Sequence, residues 1–419
     1  MAVTRRDFFK IGGLSIGAFG FARSLFSKSR AAAESKLENM VADVKPLTPE
    51  DYRMRLEKAK RLMAENSIDG LLLTGSTNLV YFTNVQWGRS ERTFGGVLNQ
   101  KGDPIWICPA FERKRAEERI PEGQEIRTWE EHENPFKLIA GIMNDLGART
   151  GKLGLGPTIR SFVYHGLRKN APSVQLVDGA VVTEECRGIK TEKEIAYMDL
   201  ANKITKLAYR EGFRNLREGM SRPDLGGIIR SAHQKMGVSG GGGPLFGPSS
   251  AFPHGTLTQR TLQEGDIILV DGGCSVEGYR ADVTRTIVFG KPTEKQKKVW
   301  DVVRKAQVAA IKAVRPGVPC EEIDRAARKV VEDAGYGPEY KYFTHRVGHG
   351  IGMEGHEYPY LVRGNKLKLQ PGMTFSDEPG VYIYGEFGVR IEDCFVVTED
   401  GGRFLGGMES TTIDKPFGA

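Results

Sequence analysis

The sequence predicts a mixed α/β protein with two domains, the second of which is built from a duplicated helix–helix–hairpin unit. The chain has 419 residues, 39% of them hydrophobic, which is enough for two cores. Short apolar runs alternate with helical patterns in the first half, and a boundary region falls near residues 182–191. The second half repeats its own order of turn residues and acids. We therefore expect domains over residues 46–183 and 190–414.

The first domain is expected to begin with a helix after a flexible lead-in over residues 34–45. Thr48 is a suitable N-cap, Pro49 fits the first helical position, and the helix continues through residues 53–65. An apolar strand follows at residues 71–73. Residues 78–82, 104–108 and 152–155 are predicted to be further strands or short elements, and residues 111–119 and 136–146 to be helical.

A linker is expected at residues 187–194, at the start of the second domain. Thr191 and Glu194 have the spacing of a capping box, which predicts a long helix over residues 194–216.

The internal repeat is the strongest organisational signal in the second domain. One copy follows the helix at residues 194–216 and the other follows a helix predicted at residues 294–314. The repeat pairs Arg217-Glu218-Gly219-Met220 with Arg315-Pro316-Gly317-Val318, Gly237 with Gly335, and Leu262-Gln263-Glu264-Gly265 with Leu369-Gln370-Pro371-Gly372. We expect the two copies to pack about a pseudo-two-fold axis.

Each copy ends in a hairpin that carries two acids. The first hairpin has Asp271 and Asp282, and the second has Glu378 and Glu392 at matching places. A pseudo-two-fold arrangement would bring the four carboxylates together, and they could not all be ionised in a low-dielectric site without cations. Taken singly, an Asp before Gly-Gly is most often a turn residue. The matched positions favour metal binding instead.

Histidines lie between and beside these acids. His349 lies in a glycine-rich stretch with His345, and His356 follows it; His254 lies in a loop of the first copy. Oxygen ligands with one imidazole suit Mn²⁺, Co²⁺, Fe²⁺ or Zn²⁺. Four or five acids and a histidine are enough for two bridged ions. A single histidine of this kind could also be a hydrogen-bonded structural residue.

These motifs together resemble the pita-bread metallopeptidases. The matching stretches are Asp271-Gly272-Gly273, Arg280-Ala281-Asp282-Val283-Thr284-Arg285-Thr286, Gly348-His349-Gly350-Ile351-Gly352, His356-Glu357, Glu378-Pro379-Gly380 and Gly388-Val389-Arg390-Ile391-Glu392-Asp393. The resemblance covers about residues 46–414, so it implies a creatinase-like N-terminal α/β domain followed by a pita-bread domain. That N-terminal domain points to the branch of the family that acts at proline.

The resemblance implies a ligand set and a reaction. Asp271 would bind one metal ion, Asp282 and Glu392 would bridge both ions, and His349 and Glu378 would hold the other. Mn²⁺ is the expected metal, with Co²⁺, Zn²⁺ or Fe²⁺ as alternatives. A hydroxide bridging the ions would attack the carbonyl before proline, and Glu378 would accept and pass on its proton.

Further residues are expected to contact the substrate. By resemblance, His254 and His356 would contact the substrate and the oxyanion that develops during the reaction. His345 resembles a pocket residue, and Arg390 is expected to orient the carboxylates. Arg363 is a candidate for binding the carboxylate of a dipeptide, although a surface role is as good an explanation.

Proline suits a metal hydrolase because it is a tertiary amide without an N–H group. The expected substrates are proline-containing peptides, and the enzyme would be an Xaa-Pro aminopeptidase or an Xaa-Pro dipeptidase (prolidase). The same fold also hosts a dimethylsulfoniopropionate lyase and the metal-free creatinase. A non-catalytic binding protein is the remaining alternative. The family leads us to expect a homodimer.

The N-terminal residues resemble a twin-arginine signal peptide over residues 1–33. Arg5-Arg6 precedes aromatic residues, a Gly-rich apolar run and Ala31-Ala32-Ala33. We expect export by the twin-arginine translocation machinery to the periplasm or the extracellular space. An ordinary Sec signal or a retained N-terminal anchor is the alternative. Six basic residues and one acid in this segment account for five of the seven net positive charges, so nucleic acid is not an expected partner. Five widely spaced cysteines form no disulfide framework.

Overall fold

A six-stranded sheet organises the first half of the protein in this computed structural model, which describes residues 37–418. The strands are β1 (Gly70–Thr74), β2 (Gly95–Asn99), β3 (Ile105–Pro109), β4 (Ile126–Trp129), β5 (Lys152–Leu155) and β6 (Gln175–Asp178). They lie in the order β4-β3-β2-β1-β5-β6, with β2 antiparallel to both neighbours and the remaining pairs parallel. The helices are α1 (Pro49–Glu65), α2 (Thr77–Thr83), α3 (Arg113–Glu117), α4 (Pro135–Asp145), α5 (Ser161–Asn170) and α6 (Ala180–Gly188).

Helices cover both faces of this sheet because successive strand side chains point to opposite sides. Leu71 and Leu73 of β1 belong to a core cluster with residues of α1, α2 and α6. Leu72 belongs to a second cluster with residues of α4 and α5. The predicted mixed α/β class is therefore confirmed in this half.

The structure refines three local expectations. Residues 78–82 lie inside helix α2, because Leu79 and Phe82 share one buried face at a spacing of three residues. The predicted helix at 111–119 is a short 3₁₀ turn (Ala110–Glu112) followed by α3. The expected linker at 187–194 includes the end of α6 and the start of the next helix.

The second half contains the duplicated unit. Its helices are α7 (Glu192–Arg214), α8 (Arg222–Lys235), α9 (Glu294–Ala313) and α10 (Cys320–Asp333). Its strands are β7 (Gly243–Phe246), β8 (Ile267–Gly272), β9 (Ser275–Val276), β10 (Tyr279–Arg280), β11 (Val283–Val288), β12 (Gly348–Gly350), β13 (Glu357–Leu361), β14 (Thr374–Asp377), β15 (Gly380–Ile383), β16 (Phe387–Arg390), β17 (Asp393–Val397) and β18 (Gly402–Phe404). A second 3₁₀ turn spans Gly247–Ala251. The larger sheets have the orders β11-β8-β7 and β13-β12-β14-β17-β18.

Backbone geometry confirms the repeat at matched positions. Gly219 and Gly317 follow α7 and α9 with φ values of 78° and 85°, a region that favours glycine. The N–H of Gly219 donates to the carbonyl of Leu262 at 2.8 Å, and the N–H of Gly317 donates to that of Leu369 at 2.8 Å. In both copies the turn between the two helices is therefore hydrogen-bonded to the segment that precedes the hairpin.

Buried ion pairs join the two halves. Arg55 of α1 donates to Oε1 of Glu194 at 2.7 Å and to the hydroxyl of Tyr279 at 2.8 Å. Arg187, from α6, and Lys190 both pair with Glu357 of β13. The described chain from Glu38 onward accordingly forms one compact unit.

The lead-in is held by hydrogen bonds where the structure describes it. The N–H of Met40 donates to the carbonyl of Met236 at 3.1 Å, and the hydroxyl of Tyr197 donates to that of Lys45 at 2.6 Å. The predicted signal peptide lies outside the described residues. Within residues 37–418, no helix has the length and apolar character needed to cross a bilayer. All five cysteines are free and buried.

Candidate metal centre

The acids of the two hairpins lie close together. Asp271 lies near the end of β8, directly opposite Thr284 of β11. Glu378 follows β14, and Glu392 precedes β17 and bridges to Thr284 across the two copies. The second strand of the first hairpin, β11, therefore lies beside the segment between β16 and β17 in the second copy.

The ligand atoms fall into overlapping groups. One group holds Asp271, Asp282 and Glu392, and another holds His349, Glu378 and Glu392; within each group the ligand atoms lie within 4.8 Å of one another. Asp282, His349 and His356 form a third such group. All five residues predicted as metal ligands thus lie together, and Glu392 belongs to both principal groups.

His349 presents one ring nitrogen to the acids. Its Nε2 lies 3.2 Å from Oε1 of Glu378 and 3.9 Å from Oδ2 of Asp282. Its Nδ1 lies 3.1 Å from the carbonyl oxygen of Gly350, which can only accept, so Nδ1 carries a proton. Nε2 is therefore the nitrogen that could bind a metal ion.

Each acid of the cluster makes ionisation of its neighbours less favourable. Burial, followed by repulsion from Asp271, raises the pKa of Asp282 to about 8. Burial and the charge of Asp282 raise the pKa of Glu392 well above its usual range. Burial also acts to raise the pKa of Glu378, but the hydrogen bond to His349 and nearby positive charges lower it to about 2. A divalent cation would relieve the repulsion, so this oxygen-rich donor set with one imidazole fits a metal site.

Arg390 and Thr284 hold the carboxylates in place. Nη2 of Arg390 lies 2.6 Å from Oδ2 of Asp271, and its Nε donates to Oγ1 of Thr284 at 2.9 Å. Oγ1 of Thr284 in turn lies 2.6 Å from Glu392 and 3.0 Å from Asp271. Arg390 is only 3% exposed, so its charge is shielded from solvent and acts on the neighbouring carboxylates.

The histidines predicted to contact the substrate differ in their exposure and in their neighbours. His356 is exposed, and its ring stacks on that of His349 with centroids 3.6 Å apart. His345 contacts the hydroxyl of Tyr382 at 2.8 Å and lies 4.0 Å from Glu378; burial lowers its pKa. His254 is exposed in the loop after the 3₁₀ turn, next to Pro253, whose carbonyl accepts a hydrogen bond from Arg390.

Arg363 is separate from this cluster. Its side chain is 59% exposed and pairs with Glu339 at 3.1 Å. Within residues 37–418, its polar partners do not include the clustered acids or histidines. The structure therefore does not join Arg363 to the residues that it brings together.

Sequence reasoning missed two hydroxyl groups of the centre. Thr284 follows Asp282 by two residues, a spacing that puts both side chains on one face of a strand, so the sequence does carry a signal for it. Tyr382 is the other, and its hydroxyl contacts His345 and Arg390. Only the fold reveals the contacts of Tyr382.

Comparisons with known proteins place this geometry in a family. The model of metallopeptidase family M24 matches residues 196–399, and that of the creatinase/prolidase N-terminal domain matches residues 55–189. An Xaa-Pro dipeptidase of Lactobacillus helveticus is 34% identical over 354 residues, which cover 83% of this chain and 95% of the relative.

Solved structures show the same likeness. The dipeptidase PepE of Mycobacterium ulcerans has a TM-score of 0.79 and 33% identity, covering 86% of this chain and 96% of that one. A prolidase of Thermococcus sibiricus has a TM-score of 0.76 and 33% identity, covering 85% and 96%. The likeness therefore extends over both halves of the chain.

Proposed function

Because this chain belongs to metallopeptidase family M24, we propose that it hydrolyses the peptide bond before proline in Xaa-Pro dipeptides. The chain has a creatinase-like N-terminal domain and a pita-bread domain, and it is an enzyme of this family. The observation that carries the proposal is the pair of ligand groups that share Glu392. The names of the relatives, Xaa-Pro dipeptidase and prolidase, support the substrate class.

We propose two divalent ions, Mn²⁺ by preference, as the cofactor. Asp271, Asp282 and Glu392 would hold one ion, and His349, Glu378 and Glu392 would hold the other. When bound, such ions lower the pKa of a water molecule and polarise a carbonyl group.

The protein's own groups would handle protons and substrate. Glu378 would take a proton from the attacking water and return it to the proline nitrogen as the bond breaks. His356, exposed beside His349, and His254, in the loop next to Arg390, would donate to the substrate carbonyl as negative charge develops on it. Because the attack needs no N–H on the proline side, a tertiary amide is an acceptable substrate.

The test measures metal and substrate together. The purified protein is stripped with a chelator, reloaded with Mn²⁺, Co²⁺ or Zn²⁺, and assayed on Gly-Pro and on longer peptides with proline second. We expect bound metal, cleavage of Gly-Pro, and loss of cleavage both after chelation and in Glu378→Ala. Cleavage of the longer peptides would favour an Xaa-Pro aminopeptidase instead. A metal-loaded protein that cleaves neither substrate would overturn the proposal.

A further inference from the structure

The hydroxyl of Tyr209 is a buried polar group without a partner among the residues that the structure describes. Tyr209 lies on α7 with 0% exposure, and no atom of residues 37–418 shares a hydrogen bond with its hydroxyl. Buried tyrosine hydroxyls usually find a partner, because burying an unpaired one is costly. We therefore expect the hydroxyl of Tyr209 to gain a hydrogen-bond partner when the site holds a bound group.

The hydroxyl lies beside the first acid hairpin. A methyl group at Gly272, the residue after Asp271, would lie 3.4 Å from the hydroxyl oxygen, and one at Gly242 would lie 3.2 Å from it. Gly243, next to Gly242, pairs with Asp271 across β7 and β8. The phenol of a helix far away in sequence thus reaches the backbone that carries a predicted metal ligand.

Glycines make room for this ring. A methyl group at Gly242 would also lie 3.0 Å from the ring of Tyr209 and 2.7 Å from the side chain of Val270. At Gly272 it would lie 2.8 Å from the carbonyl oxygen of Gly241. A larger residue at either position would displace the ring or the strand, so this packing keeps the hydroxyl near the acids.

A tyrosine hydroxyl is protonated at neutral pH and can donate to a carboxylate. Burial, then the charges of Asp271, Asp282 and Glu392, raise the pKa of Tyr209 well above its usual range. The phenol therefore keeps its proton at neutral pH. The oxygens of Asp271 are already engaged by Thr284 and Arg390 in this structure. Ionised carboxylates still offer further lone pairs, about four for each carboxylate.

We propose that Tyr209 is a positioning residue of the metal centre, whose hydroxyl donates a hydrogen bond to a carboxylate of the first acid hairpin when divalent ions are bound. This inference rests on the metal centre of the proposed function. Hydrogen bonds to metal ligands commonly fix ligand orientation and change metal affinity or activity by about 10- to 100-fold. Tyr209 would act through Asp271 or Asp282 and not on the substrate.

The substitution Tyr209→Phe tests the proposal because it removes the oxygen alone. The substitution removes no hydrogen bond to the described part of the chain, so we expect the midpoint of thermal unfolding without metal to stay the same or rise. We expect the Mn²⁺ affinity, measured by titration calorimetry on the full chain, to fall about tenfold. Unchanged Mn²⁺ affinity would overturn the proposal, as would a clear fall in the metal-free midpoint.

Tyr197→Phe is the matched control on the same helix. Its hydroxyl donates to the carbonyl of Lys45 at 2.6 Å, away from the acids. We expect the opposite pattern, with a lower metal-free midpoint and unchanged Mn²⁺ affinity. Equal falls in affinity for both variants would also overturn the proposal, because they would reveal a general effect of loosening α7.

The calorimetric test is independent of peptide cleavage. If the wild-type protein binds Mn²⁺ but cleaves no Xaa-Pro peptide, the proposed reaction fails while a tenfold weaker Tyr209→Phe variant still supports the role of Tyr209. If the wild-type protein cleaves Gly-Pro and Tyr209→Phe binds Mn²⁺ equally well, only the role of Tyr209 fails. A wild-type protein that binds no divalent metal would overturn both.

Discussion

The hydroxyl oxygen of Thr284 lies 2.6 Å from Oε2 of Glu392, so a strand of the first copy contacts an acid of the second. The contact is matched on the other side of the pseudo-two-fold, where Sγ of Cys394 lies 3.3 Å from the N–H and 3.2 Å from the carbonyl of Asp282. Thr284 and Cys394 each follow the second acid of their hairpin by two residues. The acids of one copy are thus supported by the other.

Thr284→Val should weaken metal binding while preserving the shape of the side chain. The substitution removes the hydroxyl between Asp271 and Glu392 and leaves their carboxylates free to separate. We expect a loss of Mn²⁺ affinity of about tenfold, measured by titration calorimetry. Thr374→Val is the control, since the hydroxyl of Thr374 donates to the carbonyl of Ile351 at 2.6 Å. It should cost about 1 kcal/mol of stability and no affinity. Equal affinities in Thr284→Val and wild type would contradict the prediction.

Arg390→Lys should impair catalysis although it preserves the charge. One ammonium group cannot contact both Asp271 and Thr284 as the planar guanidinium does. We expect kcat/KM for Gly-Pro to fall about 10- to 100-fold under saturating Mn²⁺. Arg403→Lys, which alters an exposed pair with Asp199, should leave the kinetics unchanged. The prediction fails if both variants keep wild-type kinetics.

Arg363→Gln tests the candidate for dipeptide carboxylate binding. If Arg363 pairs with that carboxylate, its loss removes about 1.4 kcal/mol of binding, which is a tenfold rise in KM for Gly-Pro with kcat unchanged. Its exposed pair with Glu339 should contribute less than about 1 kcal/mol to stability. Arg325→Gln, another exposed arginine, is the control for general charge effects. A KM equal to that of wild type would exclude Arg363 from binding the dipeptide carboxylate.

Glu357→Gln should destabilise the junction between the halves in a pH-dependent way. Although burial opposes its charge, Lys190 and Arg187 lower the pKa of Glu357 below the ordinary 4.5. Its stabilising effect is therefore fully present above pH 4.5 and is lost as the pH falls through the folded-state pKa. We expect the variant to lose about 3 kcal/mol at pH 7, because the buried Lys190 loses its carboxylate partner and Arg187 keeps only its ion pair with Glu354.

Denaturant unfolding at several pH values measures this difference. The free-energy gap between wild type and Glu357→Gln should narrow as the pH falls below 4.5. Glu386→Gln, which removes an exposed partner of Lys295, should change stability by less than about 1 kcal/mol at every pH. A gap that stays constant with pH would show that the carboxylate charge is not the cause.

Sequence reasoning worked where a local constraint was repeated. Gly219 and Gly317 have the same left-handed backbone. Gly265 and Gly372 each precede the first acid of their hairpin, Asp271 or Glu378, by the same number of residues in the sequence itself. Residues 78–82 show the opposite case. Their short apolar run suits a strand or a helix equally well, and packing of Leu79 and Phe82 on one face decides for the helix.

The supporting contacts of the centre could not be predicted in this way. Tyr209 reaches Gly272 only because α7 packs against the first acid hairpin at one position, and no spacing in the sequence encodes that position. The pairing of Arg187 with Glu357 likewise joins residues 170 apart, through the packing of the two halves. Long-range contacts of this kind depend on the assembled tertiary structure, whereas a repeated motif is visible within the chain.

The contact between the two copies at Thr284 and Glu392 also links metal binding to protection of the backbone. The N–H of Glu392 donates to the carbonyl of Thr284 at 3.1 Å, so a local fluctuation that separates the two copies breaks this bond and moves their carboxylates apart. An ion held by carboxylates of both copies would oppose that fluctuation. Hydrogen exchange of the Glu392 amide should therefore slow when a divalent ion is bound.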